Sequence, residues 1–152
     1  MGEADDAEVY RKHADELMRF ASALVGPSGA EDLLATSVLR ALSAASWGSA
    51  ENKRAYLYRV VFNEAMRSRR DARRRMAREV RAATSESFES VVADRDLIAA
   101  LLKLSVRQRA VVFLTYWGDL PPSEVAITLS TSQRTVEREL AAAKRRLEEV
   151  LT

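Results

Sequence analysis

Apolar residues recur every three or four positions along most of the 152-residue chain, and this spacing is typical of one buried face of an α-helix. The first stripe predicts a helix over residues 8–25 that ends at Gly26-Pro27. The stripes are Leu17, Ala21, Leu24 and Val25; Leu34, Val38 and Leu42; Leu57, Val61 and Ala65; Leu97, Ile98, Leu101 and Leu102; and Ala110, Val111, Leu114 and Trp117. No segment sustains an alternation of period two, so the pattern predicts an all-α fold without a sheet.

Polar residues between the stripes indicate where the helices begin and end. Ser28 with Glu31, and Ser105 with Gln108, have the spacing of capping boxes and predict two helix starts. The segment SWGSAEN ends the second helix, and the helix containing Leu57 is predicted to run on into an arginine-rich block. Residues 82–93 lose the pattern. We therefore expect two small helical domains, residues 1–81 and 94–152, joined by a flexible linker over 82–93.

Residues 121–147 have the pattern of a helix-turn-helix. Val125, Ala126 and Leu129 mark a short helix, and the polar break at residues 130–132 precedes a second helix carrying Val136 and Leu140. The hydroxyl of Ser132 is placed to cap this second helix. Because the second helix of such a unit can enter the major groove, DNA is the leading candidate partner.

The charge of the chain is small in total but unevenly distributed. The net charge is +2, whereas residues 67–81 hold eight arginines against Asp71 and Glu79. A concentrated basic block indicates binding to a polyanion that weakens with salt. The alternative is a solvated and partly frayed helix end.

Several classes of function are excluded by composition. There is no cysteine, and His13 is the sole histidine, so neither a metal site of clustered cysteine and histidine ligands nor a Ser-His-Asp or Cys-His catalytic set is available. Acidic pairs such as Glu31-Asp32 and Glu148-Glu149 fit helix caps and surface charge better than metal or acid-base centres. There is no glycine-rich phosphate loop, no secretory signal and no apolar run long enough to cross a bilayer. We predict no catalytic residue, metal or cofactor, and no membrane insertion.

Three stretches together resemble a known family. They are AEDLLATSVLRAL at residues 30–42, KRAYLYRVVFNEAMRSRRDARRR at 53–75, and the segment from LSVRQ to LEEVL at 104–151. In this order and spacing they resemble the extracytoplasmic-function sigma factors, the minimal two-domain promoter-recognition subunits of bacterial RNA polymerase. The excess of arginine over lysine, 20 to 4, indicates a high-GC actinobacterial source.

The resemblance implies that the first domain docks on core polymerase, at the clamp of the β′ subunit. The implied docking residues are Glu31, Asp32, Leu33, Leu39 and Arg40. Leu34, Val38 and Leu42 can instead face the domain's own core. The chain departs from the family at Ala35-Thr36, where the family usually has Gln-Glu, and at Val38, where it has an aromatic residue.

The resemblance also implies that the first domain reads and melts the −10 promoter element. The implied contacts are Trp47, Arg54, Tyr58, Asn63, Arg67, Arg70, Arg73 and Arg74, with Tyr56 of suitable type. Extruded bases need planar partners, asparagine can bond a base edge, and arginines can hold phosphates. Core packing is the alternative for Trp47 and Tyr58. Arg67 stands where the family often has an aspartate, so the family's base preference is not carried over.

The second domain would read the −35 element and contact the flap of the β subunit. The implied residues are Ser132, Gln133, Arg134, Thr135, Arg138, Lys144 and Arg145. Glutamine suits adenine and arginine suits guanine in the major groove, while Lys144 and Arg145 are better placed for phosphates or polymerase. Ser130 replaces the family's turn glycine, and Glu137 and Glu139 bring carboxylates close to DNA.

The function implied is that of a cytoplasmic sigma factor that binds core RNA polymerase and promoter DNA and directs transcription initiation. An anti-sigma factor is an expected further partner, and the linker with Glu86 and Glu89 would pass the polymerase active site or serve as a spacer. Two alternatives stay open. One is a DNA-binding regulator that uses the helix-turn-helix alone. The other is a sigma-like decoy or scaffold, which Glu137 and Glu139 favour.

Overall fold

The computed structural model describes residues 3–83 and 99–151. The helices are α1 Glu3–Val25, α2 Pro27–Ser43, α3 Lys53–Arg67, α4 Arg69–Ala83, α5 Val106–Tyr116, α6 Pro122–Thr128 and α7 Gln133–Leu151, and residues 99–102 are also helical. No strand occurs in these two ranges, and the all-α prediction is confirmed. Residues 84–93 of the expected linker, with Glu86 and Glu89, and the apolar pair Leu97 and Ile98 lie outside the described residues. None of the described helices is both long and apolar enough to cross a bilayer.

The start of α2 differs from the prediction. The capping residue is Gly26, with φ of 88°, and Pro27 occupies the first helical turn, so the predicted Ser28–Glu31 capping box is wrong. Proline suits this position because its missing N–H would have no partner there in any case. The Ser28 N–H donates to Oε1 of Glu79 at 3.0 Å, and its hydroxyl bonds to the same oxygen. The Glu79 carboxylate of α4 therefore accepts the Ser28 N–H, which the capping-box prediction assigned to Glu31.

The sequence predicts one long helix that runs into the arginine block. This prediction is wrong in one respect, because the structure has two helices there. The backbone departs from helical geometry at Ser68, which ends α3, and α4 begins at Arg69. The Ser68 N–H and hydroxyl both donate to the Glu64 carbonyl oxygen, at 3.2 and 3.1 Å. Such back-bonding by serine competes with the regular helical ladder and favours a break.

Two of the predicted caps are confirmed. The Ser105–Gln108 capping box is complete, with bonds of 3.1 Å from Gln108 N–H to Ser105 Oγ and 3.0 Å from Ser105 N–H to Gln108 Oε1. Ser132 Oγ accepts the Thr135 N–H at 3.1 Å at the start of α7. Both caps satisfy backbone donors that the helix cannot satisfy itself.

A single hydrophobic cluster joins the N-terminal and C-terminal halves of the chain. Phe20 of α1 is fully buried at the junction, where its ring meets Tyr58 of α3 at 4.8 Å and Phe113 of α5 at 5.2 Å between centroids. Edge-on and tilted contacts at these distances are favourable beyond the burial of area. In this conformation, therefore, the two halves pack against each other.

Arginines reinforce the junction by donating to carbonyl oxygens at helix C-termini. Arg109 Nη2 donates to Leu24 O at 2.8 Å, at the end of α1. Arg59 donates to Ile127 O at 2.9 Å and Thr128 O at 3.2 Å, at the end of α6. Helix C-termini carry unpaired carbonyls and partial negative charge, and guanidinium groups satisfy both.

Candidate nucleic-acid interface

Helices α6 and α7 form the predicted helix-turn-helix. Val125, Ala126, Leu129 and Val136 are all buried between the two helices. Ser130 forms the turn with φ of 56°, and the Thr131 N–H closes it by donating to Ala126 O at 2.9 Å. The turn thus adopts a left-handed conformation that favours glycine, although the chain supplies serine.

The first turns of α7 present polar side chains to solvent. Ser132, Gln133, Arg134 and Arg138 are exposed, while Thr135 is half-buried and held by the Ser132 hydroxyl at 2.9 Å. Gln133 Nε2 donates to Glu137 Oε1 at 3.1 Å, so its amide is already oriented on the helix surface. Lys144 and Arg145 are exposed further along. This is the arrangement that a recognition helix needs, with donors and acceptors at its N-terminus and cations behind them.

Seven of the eight arginines of the basic block lie on α4, and Arg67 lies at the end of α3. Ala72 and Met76 are buried and anchor one face. Arg70, Arg73 and Arg74 are exposed on the other. Arg73 Nη1 also donates to Leu102 O at 3.3 Å, so this side chain already has a partner in the packed conformation. An exposed row of arginines on a fixed helix suits phosphate binding.

A cavity of 370 Å³ opens between α2, α3 and the loop joining them. Its lining consists of Arg40, Ser43, Ala44, Tyr56, Val60, Asn63, Glu64 and Arg67. Asn63 and Arg67 are exposed at the rim. The Tyr56 hydroxyl bonds to Ser46 Oγ at 2.6 Å, and its ring stands edge-on to Trp47. The cavity therefore offers one aromatic ring, one amide, two guanidinium groups, one carboxylate and one serine hydroxyl.

Trp47 and Tyr58 do not line an exposed surface. Trp47 is 5% exposed, and its Nε1 donates to Asp6 Oδ1 at 2.8 Å. Tyr58 is 1% exposed and packs against Phe20. Burial raises the pKa of the Tyr58 hydroxyl, and the Glu16 carboxylate adds to this shift. Core packing, the alternative considered for both residues, is what this conformation shows.

Arg54 is half-buried and forms an ion pair with Glu16. Its Nε and Nη2 donate to the two carboxylate oxygens of Glu16, at 2.8 and 3.0 Å, which is the bidentate geometry of a strong charge-assisted pair. Burial by itself raises the pKa of Glu16, but the hydrogen bond and charge of Arg54 outweigh it and lower that pKa. The same hydrogen bond raises the pKa of Arg54. In this conformation Arg54 therefore joins α3 to α1 through Glu16.

The outer face of α2 has the character expected of a docking surface. Glu31, Asp32, Leu39 and Arg40 are exposed, and Leu39 is 68% exposed despite being apolar. Leu33, which we expected in the same surface, is only 8% exposed and belongs to the core cluster. Leu33 packs α2 against the core and is not part of the exposed face of this helix.

The structure also brings together residues that the sequence analysis did not select. Glu64 is 9% exposed, and its Oε1 accepts from Arg40 Nε at 2.9 Å and Arg67 Nη1 at 2.6 Å. The i, i+3 spacing of Glu64 and Arg67 was a readable signal. The contact with Arg40, and the roles of Arg59 and Arg109 at the junction, had no local signal because their partners are distant in sequence.

Two known families match separate stretches of the chain. The family described as "Sigma-70 region 2" matches residues 9–75, and the one described as "Sigma-70, region 4" matches residues 94–147. An RNA polymerase sigma-E factor of Streptomyces coelicolor is 36% identical, with 99% of this chain and 89% of that protein covered. The ECF RNA polymerase sigma factor SigL of Mycobacterium tuberculosis is 32% identical, with coverages of 91% and 84%.

A solved structure has a similar fold. The sigma factor RpoE of Bartonella quintana, in complex with the anti-sigma factor NepR, aligns with a TM-score of 0.71. The alignment covers 97% of this chain and 96% of that one, at 23% sequence identity. The likeness therefore extends over both halves and concerns the fold.

Proposed function

The chain belongs to the sigma-70 family of RNA polymerase sigma factors, and from that premise we propose how its residues divide the work of promoter recognition. Residues 1–81 act as region 2, which docks on core polymerase and reads and melts the −10 element. Residues 94–152 act as region 4, which reads the −35 element, and residues 82–93 link the two. The observation that carries the proposal is that one chain exposes two surfaces suited to DNA. One is the polar first turns of α7, and the other is the cavity lined by α2 and α3 together with the exposed arginines of α4.

Region 4 places the N-terminus of α7 in the major groove. Gln133 and Arg134 contact base edges, with Ser132, Thr135 and Arg138 around them, because these side chains occupy the first turns of an exposed helix. Lys144 and Arg145 contact phosphates or the β flap. Glu137 orients Gln133 through their hydrogen bond, which supports a positioning role for this carboxylate.

Region 2 receives a base of the −10 element in the cavity beside α3. Asn63 and Arg67 contact that base at the rim, and Arg70, Arg73 and Arg74 hold phosphates along the exposed face of α4. Trp47, Tyr58 and Arg54 support this site from within. Trp47 backs the ring of Tyr56, and Tyr58 and Arg54 fix α3 on α1.

The exposed face of α2 docks on the clamp of the β′ subunit. A solvent-exposed leucine ringed by charged residues is typical of a protein contact surface, and Leu39 with Glu31, Asp32 and Arg40 fits this description. Ala35 and Thr36 are exposed on the same helix, so the departures from the family's usual residues fall where a partner would meet them.

The protein performs no chemistry itself and acts in the cytoplasm, where the polymerase supplies the catalytic centre. An anti-sigma factor is a further partner in this proposal. Its support is the whole-chain similarity in fold to a sigma factor solved in complex with an anti-sigma factor.

Run-off transcription with purified actinobacterial core polymerase and a promoter library tests the proposal. We expect transcripts that start at defined promoters and require both the core enzyme and this chain. Sequence-specific DNA binding that is independent of core polymerase would instead indicate a stand-alone regulator. Binding to core polymerase without transcripts would indicate a sigma-like decoy.

A further inference from the structure

A nearly buried carboxylate connects the docking helix to the rim of the cavity. Oε1 of Glu64 accepts from Arg40 Nε at 2.9 Å and from Arg67 Nη1 at 2.6 Å. The Glu64 side chain is 11% exposed, whereas those of Arg40 and Arg67 are 58% and 62% exposed. A carboxylate removed from water in this way requires cationic partners, and Glu64 binds one nitrogen of each guanidinium group through the same oxygen.

Both arginines are held at the cavity of 370 Å³, next to Tyr56 and Asn63. Guanidinium groups carry five N–H donors in a plane, and a single bond to Glu64 leaves most of those of Arg67 unused. Because Arg67 is mostly exposed, these donors remain accessible to a ligand that enters the cavity.

The position of Arg67 differs from that of the arginines on α4. Arg70 and Arg74 are exposed on the following helix, where long side chains can follow any phosphate backbone. The bond from Nη1 to Glu64 limits how far the Arg67 guanidinium can turn toward a phosphate. The planar set of donors that it keeps at the cavity is suited to a base edge with two acceptors, of which guanine, with O6 and N7, is the best match.

We propose that Glu64 is a positioning residue that withdraws Arg67 from phosphate binding and directs it at a base in the cavity, making one −10 position selective for guanine. This rests on the proposed function of region 2.

The experiment uses holoenzymes assembled with actinobacterial core polymerase and promoters randomised in the −10 element. We compare the wild type with two variants. Glu64→Gln keeps the shape of the side chain and removes its charge, and Arg67→Lys keeps the charge and removes the planar set of N–H donors. Arg11→Lys, at an exposed position on α1, is the matched control. Wild type and Arg11→Lys should prefer guanine at one position by about tenfold, and the other two variants by about twofold or less.

Salt dependence separates positioning from a general structural effect. In Glu64→Gln the released Arg67 becomes available to phosphate, so the slope of log affinity against log salt concentration should become steeper by about one unit. A merely structural defect would weaken binding without steepening this slope. Thermal unfolding followed by circular dichroism identifies a variant that fails to fold, and Glu64→Asp then replaces Glu64→Gln, with the same loss of selectivity expected from the shorter reach.

Two results would overturn the proposal. Unchanged base preference in the folded Glu64 variant would remove the positioning role, and unchanged preference in Arg67→Lys would show that Arg67 does not read a base. Failure of the underlying function is distinguishable, because wild-type holoenzyme would then give no promoter-specific transcripts at all.

Discussion

Arg109 Nη2 donates to the carbonyl oxygen of Leu24 at 2.8 Å, across 85 residues of sequence. Its Nη1 donates to Leu101 O and Leu104 O at 2.9 and 2.7 Å, so one side chain, only 5% exposed, closes helix ends from both halves of the protein. Burial lowers the pKa of Arg109 to about 10, and repulsion by Arg73 adds to this. Burying the charged guanidinium group is unfavourable, and its hydrogen bonds to three carbonyl oxygens offset this cost.

Replacing Arg109 by methionine should destabilise the packed conformation. The apolar side chain keeps much of the volume but leaves Leu24 O and Leu104 O without this donor, at a cost of about 2 kcal/mol in the free energy of unfolding. Leu101 O keeps a second donor, the Leu104 N–H at 3.0 Å. Urea denaturation measures this change. Arg138→Met, at an exposed site on α7, is the control and should have an effect within about 0.5 kcal/mol. Equal midpoints for the two variants would contradict the role of Arg109.

Replacing Ser130 by glycine should stabilise the helix-turn-helix. Ser130 has φ of 56°, where a side chain carries a steric cost that exceeds glycine's extra loss of backbone entropy. We expect a gain of about 0.5 kcal/mol in the free energy of unfolding, measured as a higher denaturation midpoint with an unchanged slope. Thr131→Gly, at a neighbouring position without positive φ, should be destabilising. A loss of stability in Ser130→Gly would show that the serine is not strained.

Stability should fall in acid partly through Glu16. Its pKa in the folded protein is lowered from 4.5, so its contribution is present above the unfolded pKa and is lost as pH falls through the folded pKa. Thermal midpoints of the wild type and Glu16→Gln should therefore differ near neutral pH and converge in acid. A difference that stays constant below the unfolded pKa would mean that Arg54 does not stabilise the charged form of Glu16.

Replacing Arg134 and replacing Arg145 by alanine should impair DNA binding in different ways. Arg134→Ala should cost about 1–3 kcal/mol on the preferred −35 sequence and relax selectivity at one base pair. Arg145→Ala should weaken binding to all sequences alike and reduce the salt slope by about one unit. Holoenzyme binding to −35 variants over a series of salt concentrations measures both effects. If the two variants gave the same profile, α7 would not lie in the groove as proposed.

Leu39 and Leu33 offer a matched pair on one helix. Leu39 is 68% exposed, so Leu39→Ala should lower affinity for core polymerase about tenfold and leave the thermal midpoint unchanged. Leu33 is 8% exposed, so Leu33→Ala should cost about 2–3 kcal/mol of folding stability. Pull-down titration and thermal unfolding distinguish the two effects. Full polymerase affinity in Leu39→Ala would remove this face of α2 as the docking surface.

The sequence by itself determined the features that depend on neighbours three or four residues apart. The all-α class, the Ser105–Gln108 box, the Ser132 cap and the α6–α7 unit all follow from such local spacings, because one turn of helix brings these residues together. Local spacing was insufficient at Ser28, where the partner of the serine is Glu79, 51 residues away.

Only the tertiary structure decided which chemically suitable residues remain available to a partner. Trp47 and Tyr58 are aromatic in the same way as Tyr56, yet packing buries the first two and leaves the third at the cavity. Arg54 is bound by Glu16, 38 residues away, whereas Arg67 is held at a rim by Glu64. Burial and ion pairing depend on contacts between helices that are far apart in sequence, and a periodic pattern indicates which face is apolar without indicating what covers it.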